Sequence, residues 1–260
     1  MFSKLNVLIV LSLNVWLVLA APQVHNFKEI SEIPSDIPVC SEKDLNINEC
    51  IRNAYQQMIP RAKNGIPELN IPPMDPLEVD KTNYEFANSI IQGKVALRNL
   101  KINGLSDTII NSVDFKKDGD NIKMEVKSLT PKLFIEGKYK AEVKINDARM
   151  NSKGVFNLTM TDIDVIAQPE AELYERDGHK YMRITKFNIE PTLGNMKFYA
   201  TGLVPDAILN DAILEFVNQN WRTVYKSLIP ETRSTWEPEF LKVSNEYFSH
   251  LPFDLILTKE

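Results

Sequence analysis

Three histidines and one adjacent serine have side chains suited to nucleophilic or acid–base chemistry. The histidines are His25, His179 and His250, and Ser249 precedes the last of them. None lies in a Gly-x-Ser-x-Gly, His-Glu-x-x-His or cysteine–histidine pattern, and the nine glycines form no phosphate-binding loop. Adjacency of Ser249 and His250 in sequence is not the geometry of a catalytic triad. We therefore predict a protein that is not an enzyme and uses no cofactor.

Two pairs of aspartates have a spacing that metal ligands also use. They are Asp118 with Asp120, and Asp162 with Asp164. Neither pair comes with the glutamate of a calcium loop or with a third ligand. We interpret the first pair as turn residues and the second as charges on the face or rim of a strand, and we predict no metal site.

The first twenty residues have the pattern of a secretory signal peptide. Lys4 supplies the positive start, residues 7–19 are almost entirely apolar, and Val18-Leu19-Ala20 offers a cleavage site. A membrane anchor is the alternative, but the run is short for roughly 30 Å of hydrocarbon and no polybasic flank follows it. We predict a signal peptide over residues 1–20, a secreted mature chain of residues 21–260 that forms one domain, and no stable membrane insertion.

Two further features fit an extracellular protein. Cys40 and Cys50 are the two cysteines of the chain, and after an export signal a disulfide is favoured over a metal or redox site. Asn157-Leu158-Thr159 is a glycosylation sequon, with Asn157 predicted to face water. The net charge of −5 argues against a nucleic-acid partner, which requires a basic surface.

The N-terminal part predicts an arm, a helix and a connector. Residues 21–39 form a proline-punctuated arm, and the helix is predicted to begin after Ser41 and to end near Asn64 and Gly65. Residues 66–76 contain four prolines, which predicts an extended connector.

From about residue 83 to residue 200 the apolar residues alternate with polar ones, which predicts β-strands. The clearest strand is residues 132–146, and residues 122–127 predict a second. Further strands are predicted at residues 155–166, 171–175, 181–190 and 196–200. The apolar phase changes at Thr161 and at Lys186, and we predict a β-bulge at each.

After Gly202 the period becomes helical. Residues 205–228 predict one long helix, with an apolar arc of Leu209, Ile213, Phe216, Val217, Trp221, Val224 and Leu228. A second amphipathic stretch at residues 240–248 and a terminal apolar strand at residues 253–257 follow. The predicted fold class is therefore α+β: a long, strongly curved antiparallel sheet wrapped around a long C-terminal helix, with the N-terminal helix at one end.

A curved sheet around a helix leaves apolar space unless large side chains fill it, and the predicted inward face contains small or adaptable residues such as Gly137, Ala141 and several methionines. Ordinary core packing is the alternative interpretation. We predict an internal apolar tunnel for a ligand, with these candidate lining residues: Ile122, Met124, Val126, Leu133, Ile135, Tyr139, Val143, Phe156, Leu158, Met160, Met182, Ile184, Met196, Phe198, Leu209, Ile213, Phe216 and Val217.

The order of several short segments resembles the takeout and juvenile-hormone-binding protein family of insects. The segments are residues 40–51, 65–69, 71–77, 100–106 and 216–221, the last followed by Pro230, and residues 245–248 before Pro252. The resemblance extends over nearly the whole mature chain. It implies a tubular lipid-binding fold, a disulfide between Cys40 and Cys50, and an extracellular or haemolymph carrier of hydrophobic ligands.

The resemblance does not name the cargo, because the family includes juvenile hormone carriers and takeout-like members with other ligands. A terpenoid, a fatty acid or a related lipid all remain open. Tyr139 on the covered face is a candidate hydrogen-bond donor to the ligand, although a core tyrosine is the simpler interpretation. Two other function classes stay open: an extracellular interaction or signalling protein with an unknown receptor, and a lipid hydrolase using Ser249 and His250. We expect a monomer.

Overall fold

The computed structural model describes residues 27–87, 91–145 and 148–259. The predicted signal peptide and His25 lie outside the described residues. Within them, no helix is long and apolar enough to cross a membrane.

A six-stranded antiparallel sheet forms most of the structure. Its strands are β2 (Leu77–Ala87), β3 (Ile91–Asn103), β4 (Ile109–Asp118), β5 (Asn121–Ile145), β6 (Ala148–Arg176) and β7 (His179–Ala200), and a separate two-residue strand, β1, is Cys40–Ser41. The strand order is β2-β3-β5-β6-β7, and β4 and β3 pair in succession with the same edge of β5. The fold predicted from the sequence is confirmed, but the short strands predicted between residues 122 and 200 are joined into three.

These three strands contain 25, 29 and 22 residues, several times the usual strand length of about 5–6. The sequence pattern predicts separate strands wherever the apolar residues switch from one face of a strand to the other. In the structure, the hydrogen-bonded pairing of the strands continues through those positions. In β5 the buried positions step from Ser128 and Thr130 to Leu133 and Ile135. Equivalent steps occur in β6 and in β7, so the three strands exchange their inward and outward faces at the same place.

We name the row Pro131, Asp162 and Gly194 the phase line. Asp162 has a left-handed backbone with φ of 51°, and a Cβ atom added to Gly194 would lie 2.7 Å from the Asp162 Cβ. The pairing continues on either side without an extra residue in β6. The predicted bulge at Thr161 is therefore wrong, because all three neighbours change phase together. The bulge predicted at Lys186 is confirmed, since Thr185 is the extra residue opposite the step from Glu170 to Ala171.

The helices are α1 (Ile47–Arg61), α2 (Ala207–Gln219), α3 (Trp221–Phe248) and α4 (Phe253–Ile256), and β8 (Leu257–Thr258) pairs with β1. Helix α1 begins six residues after Ser41. The predicted helix over residues 205–228 is interrupted at Asn220, where ψ is 21°, and the stretch at 240–248 is the end of α3. The predicted terminal strand is largely helix α4, closed by β8. Asparagine side chains on α2 and α3 hold these two helices against the sheet.

Asparagines attach α2 and α3 to the open edge of β7. Asn218 donates to the Phe198 carbonyl at 2.8 Å and accepts from the Phe198 N–H at 2.7 Å, and Asn245 makes the same pair of bonds to Ile184 at 2.9 and 2.7 Å. Asn210 donates to the Ala200 carbonyl at 3.2 Å. An edge strand has unpaired backbone groups, and these side chains satisfy them. The two helices thus run antiparallel to β7.

This attachment also sets which face of α2 is buried. Asn210, Leu214 and Val217 point inward, whereas Leu209 is 52% exposed and Phe216 is 48% exposed. The prediction that Leu209 and Phe216 line the interior is wrong, because hydrogen bonding by Asn210 and Asn218 rotates the helix away from the orientation that apolar periodicity alone suggests.

Candidate functional site

An apolar cavity of about 250 Å³ lies between α1 and the concave face of the sheet. Its walls come from the N-terminal arm, α1, the strands β4 to β7, the end of α3 and the C-terminal segment. Apolar cavities of this kind stay dry and accept apolar guests.

Helix α1 forms one wall because its apolar residues recur on one face. Ile51, Tyr55, Met58 and Ile59 line the cavity at helical spacing, and Ala62 lines it directly after the end of the helix. The opposite face of this helix is polar.

Two polar side chains attach α1 to the free edge of β4. Gln56 accepts from the Ile110 N–H at 2.7 Å and donates to the Thr108 carbonyl at 3.2 Å, and Asn48 accepts from the Phe115 N–H at 2.9 Å. The helix therefore covers the cavity while it satisfies the backbone of an edge strand, as α2 and α3 do on β7.

The N-terminal arm forms a second wall and is fixed to α1 at two points. Cys40 and Cys50 are joined in a disulfide, which confirms the predicted pairing. Asp36 forms an ion pair with Arg61 at the end of α1, and a hydrogen bond from the Arg61 guanidinium lowers the pKa of the Asp36 carboxyl. Ile37 and Val39 between these points, and Ile33 just before them, face the cavity.

The inward faces of three strands form the floor. Ile122, Met124 and Val126 come from β5, Val165 and Ala167 from β6, and Met182 and Ile189 from β7. The remaining wall is C-terminal and includes Tyr247, Phe248, Leu251 and Phe253. Methionine is unbranched and flexible, so Met58, Met124 and Met182 can adapt to guests of different shape.

The polar groups of the lining are hydroxyls. Thr108 and Ser128 contribute two, and Thr108 Oγ1 lies 2.8 Å from Thr130 Oγ1. Tyr55 and Tyr247 contribute two phenols. Burial raises the pKa of Tyr55 to about 12 and also raises the pKa of Tyr247, so both are neutral donors at physiological pH. None of the described lining residues is charged.

The sequence pattern of the haemolymph juvenile hormone binding protein (JHBP) family matches residues 13–258. The chain belongs to the JHBP family. The circadian clock-controlled protein daywake of Drosophila yakuba is 22% identical over 246 residues, which are 92% of this chain and 94% of daywake. Daywake of Drosophila melanogaster is 24% identical over 234 residues, 87% of this chain and 89% of the relative.

A solved structure shares the fold of this JHBP family member. Takeout 1 of Epiphyas postvittana superposes with a TM-score of 0.66 at 22% sequence identity, over 85% of this chain and 100% of Takeout 1. The sheet and helices described above are therefore those of a takeout-like protein.

Four of the predicted tunnel residues line the cavity of this JHBP-family chain: Ile122, Met124, Val126 and Met182. All four lie on the same side of the phase line as α1. They are adaptable or β-branched side chains on the floor of the cavity, where the helix above them leaves space.

The other predicted tunnel residues on the strands, and two on α2, do not line this cavity. Ile135 and Met160 expose no surface even to a water-sized sphere, so neither borders a space that holds a ligand. The rest of this group is also buried in the core or, for Val143 and Ile213, packed partly buried against it: Leu133, Tyr139, Val143, Phe156, Leu158, Ile184, Met196, Phe198, Ile213 and Val217. Beyond this cavity, a tunnel along the C-terminal helix stays a prediction, because inward alternation marks core and cavity positions alike.

Tyr139 uses its hydroxyl within the protein. The hydroxyl donates to the Thr201 carbonyl at 2.8 Å, and the residue is 4% exposed. It is a core tyrosine that joins β5 to the segment after β7, rather than a donor to a ligand in the cavity described here.

Ser249 and His250 contact each other and share one backbone carbonyl. The Ser249 hydroxyl donates to the Glu246 carbonyl at 2.7 Å, and His250 Nδ1 lies 2.8 Å from the same carbonyl and 3.2 Å from Ser249 Oγ. In the tautomer that donates to this carbonyl, Nδ1 carries the ring hydrogen and does not accept the serine proton. His179 is the first residue of β7 and follows the turn at Asp177 and Gly178.

One aspartate of each pair has a structural partner. Asp120 forms an ion pair with Lys180, and a hydrogen bond from that lysine lowers the pKa of Asp120. Asp162 accepts from the Thr161 hydroxyl at 3.2 Å and lies on the phase line. Asn157 lies on the outward face of β6, half-buried, and its glycosylation remains a prediction.

The sequence predicts α1, the arm and the C-terminal segment as elements but does not assign them to the binding site. The apolar spacing of Ile51, Tyr55 and Met58 is the available signal, and on its own it predicts only the packed face of a helix. Tyr247 and Phe248 gave no separate signal, since amphipathic helices generally bury such residues.

Proposed function

We propose that the protein is a secreted, non-enzymatic carrier that binds one small hydrophobic molecule in the cavity beneath α1. The observation that carries this proposal is the cavity itself, about 250 Å³ with an almost wholly apolar lining and membership of a family named for hormone binding. The volume exceeds the roughly 150 Å³ of an engineered cavity that binds benzene. It is slightly below the roughly 300–1,000 Å³ of most ligand pockets.

A small terpenoid or related lipid suits a space of about 250 Å³ better than a large cargo does. Burial of apolar surface favours binding by about 25 cal/mol per Å², and ordering costs reduce the net gain, so we expect dissociation constants of about 1 µM or somewhat tighter. Discrimination between ligands that differ by one methylene should be modest, about 1–3 kcal/mol.

Blocking the cavity tests the proposal. Met182→Trp and Met124→Trp should each fill the space above the floor and abolish uptake of a fluorescent hydrophobic probe, while secretion and the circular dichroism spectrum stay as in the wild type. Val155→Trp is the matched control, because Val155 is 47% exposed on the outer face of β6. Uptake by the folded blocking variants at the wild-type level would contradict the proposal.

A second candidate function is favoured by the exposed apolar face of α2. Ile208, Leu209 and Phe216 are 83%, 52% and 48% exposed, and such a patch is typical of a contact with another protein. Under this candidate, Phe216→Glu should remove binding of the labelled protein to its target cells and leave probe uptake unchanged. Equal cell binding by the variant would exclude a role for this face.

A further inference from the structure

Five basic residues form a stripe across the outer face of the sheet, on the α2 side of the phase line. One row of paired positions runs through Lys81, Arg98 and Lys138 on β2, β3 and β5. In the next row, Lys140 of β5 lies directly opposite Lys153 of β6. All five side chains are exposed. We call these five residues the basic stripe.

Most of the positive charge in the basic stripe is not neutralised by a neighbouring carboxylate. Lys81, Arg98, Lys138 and Lys153 form no ion pair with any residue that the structure describes, and Lys140 pairs with Glu142 at 2.8 Å. Like charges directly opposite each other on neighbouring strands destabilise a sheet. The basic stripe therefore does not help to hold the strands together, which indicates a role in binding.

The outward cations on the α1 side of the phase line are paired. Lys123 and Lys186 both pair with Glu170, at 3.7 and 3.1 Å. Lys127 pairs with Glu125 at 3.2 Å. The unpaired positive charge is thus a local feature of one half of the sheet, in a chain whose net charge is −5.

Carboxylates border the basic stripe and limit its width. On β5 the outward side chains of Glu136 and Glu142 flank the two lysines, and Asp80 precedes Lys81 on β2. Two rows on one strand are about 6.6 Å apart, whereas four strands spaced by about 4.8 Å give a length of about 14 Å. The outer face of this curved sheet is also convex. A flat anionic membrane would touch only part of such a stripe and would meet the bordering carboxylates, whereas a narrow, flexible polyanion can follow it.

We propose that the basic stripe binds a linear sulfated polysaccharide outside the cell. Sulfate groups carry a permanent negative charge along a narrow polymer, and lysine and arginine bind such oxyanions through charge-assisted hydrogen bonds. A nucleic-acid duplex is wider than the stripe, and single strands are held largely by stacking on aromatic side chains, which the stripe lacks.

This inference goes beyond the proposed carrier function and shares with it only the secretion of the chain. The basic stripe is on the outer face of the sheet, and the cavity is on the inner face of the other half. The protein can therefore hold a hydrophobic cargo while it is attached to an extracellular polysaccharide.

Binding to heparin tests the inference on the secreted, disulfide-bonded protein. We expect binding in about 50 mM salt that weakens steeply by about 200 mM, and chemically desulfated heparin should bind at least about 10-fold more weakly. The double variant Lys138→Gln with Lys153→Gln should weaken heparin binding by about 5- to 10-fold. Its melting temperature should not fall, because the substitutions relieve repulsion between like charges.

The matched control is Lys123→Gln with Lys127→Gln, which changes the net charge by the same amount on the other half of the sheet. Its heparin affinity should stay within about 2-fold of the wild type. An equal loss in both double variants, or no binding of heparin to the wild type, would overturn the inference. Tighter binding to vesicles of anionic phospholipid or to duplex DNA than to heparin would also overturn it, in favour of that partner.

Uptake of a fluorescent hydrophobic probe, measured on the same samples, tests the carrier function separately. Both double variants should take up the probe as the wild type does, since neither substitutes a residue that lines the cavity. Absent heparin binding with normal probe uptake would overturn the inference and leave the carrier function standing. Heparin binding without probe uptake would do the reverse.

Discussion

The two halves of the long sheet, on either side of the phase line, have the same alternation of apolar and polar residues but enclose different interiors. On the α1 side, Ile122, Met124 and Met182 face an apolar cavity. On the α2 side, Leu133, Ile135 and Met160 occupy equivalent inward positions and are at most 1% exposed. The difference comes from what covers each half rather than from the strands.

Over the packed half, α2 and the start of α3 bring Leu214, Val217, Trp221 and Tyr225 directly onto the sheet. Gly137 permits a close approach there, because an added Cβ would lie 2.6 Å from the Leu100 side chain. Over the other half, α1 is held by β4 and by the disulfide at the rim. Ala54 on this helix and Ala62 directly after it face the cavity among larger residues. Small side chains on a helix fixed at its edges leave a gap beneath it.

Truncation of one methionine in each half should give the largest contrast. Met160→Ala removes a side chain with no exposed surface, so we expect a loss of about 2–5 kcal/mol in the free energy of unfolding. Met182→Ala enlarges a space that is already open and should cost about 1 kcal/mol. Urea denaturation of the two variants measures both values. Similar costs for the two would mean that the halves do not differ in packing.

Removal of the asparagine side chains that attach α2 and α3 to β7 should distinguish effects on stability from effects on ligand binding. Asn218→Ala and Asn245→Ala each leave an N–H and a carbonyl of β7 unpaired, which should lower the free energy of unfolding by about 1–3 kcal/mol. Asn245 precedes Tyr247 in the cavity wall, so only Asn245→Ala should also weaken probe binding, by several-fold. Weakened binding in Asn218→Ala instead would show that the packed half also contributes to the site.

Replacement of Ser244 should give the smallest effect on the free energy of unfolding, and it should stabilise the protein rather than destabilise it. Its Oγ is buried and has no hydrogen-bond partner among the described residues, so Ser244→Ala should raise the free energy of unfolding by up to about 1 kcal/mol. Thr130→Val is the matched comparison. The Thr130 hydroxyl is paired with Thr108 at 2.8 Å, and its removal should destabilise by about 1 kcal/mol. A destabilised Ser244→Ala variant would indicate that a water or a ligand uses this hydroxyl.

Local patterns in the sequence determined the elements and the fold class. The alternation of apolar and polar residues over residues 132–146 predicts a strand with one solvent-exposed face. Helical spacing of apolar residues predicts α1 and α2, and the order of short segments indicates the family. The pairing of Cys40 with Cys50 also follows from composition and compartment. These features depend on neighbours within a few residues along the chain, which is the range over which a sequence pattern carries information.

The location of the cavity depended on the tertiary structure. Ile135 and Met124 are both inward apolar residues, and no local signal tells which will meet a helix side chain and which will meet a gap. Likewise, the exposure of Leu209 and Phe216 follows from hydrogen bonds between asparagines on α2 and an edge strand, which rotate the helix. The phase line joins residues about thirty positions apart in sequence, so each strand alone shows only an interruption. Whether apolar residues form a core or enclose a ligand is decided by the fit of distant surfaces, and that fit exists only once the chain is folded.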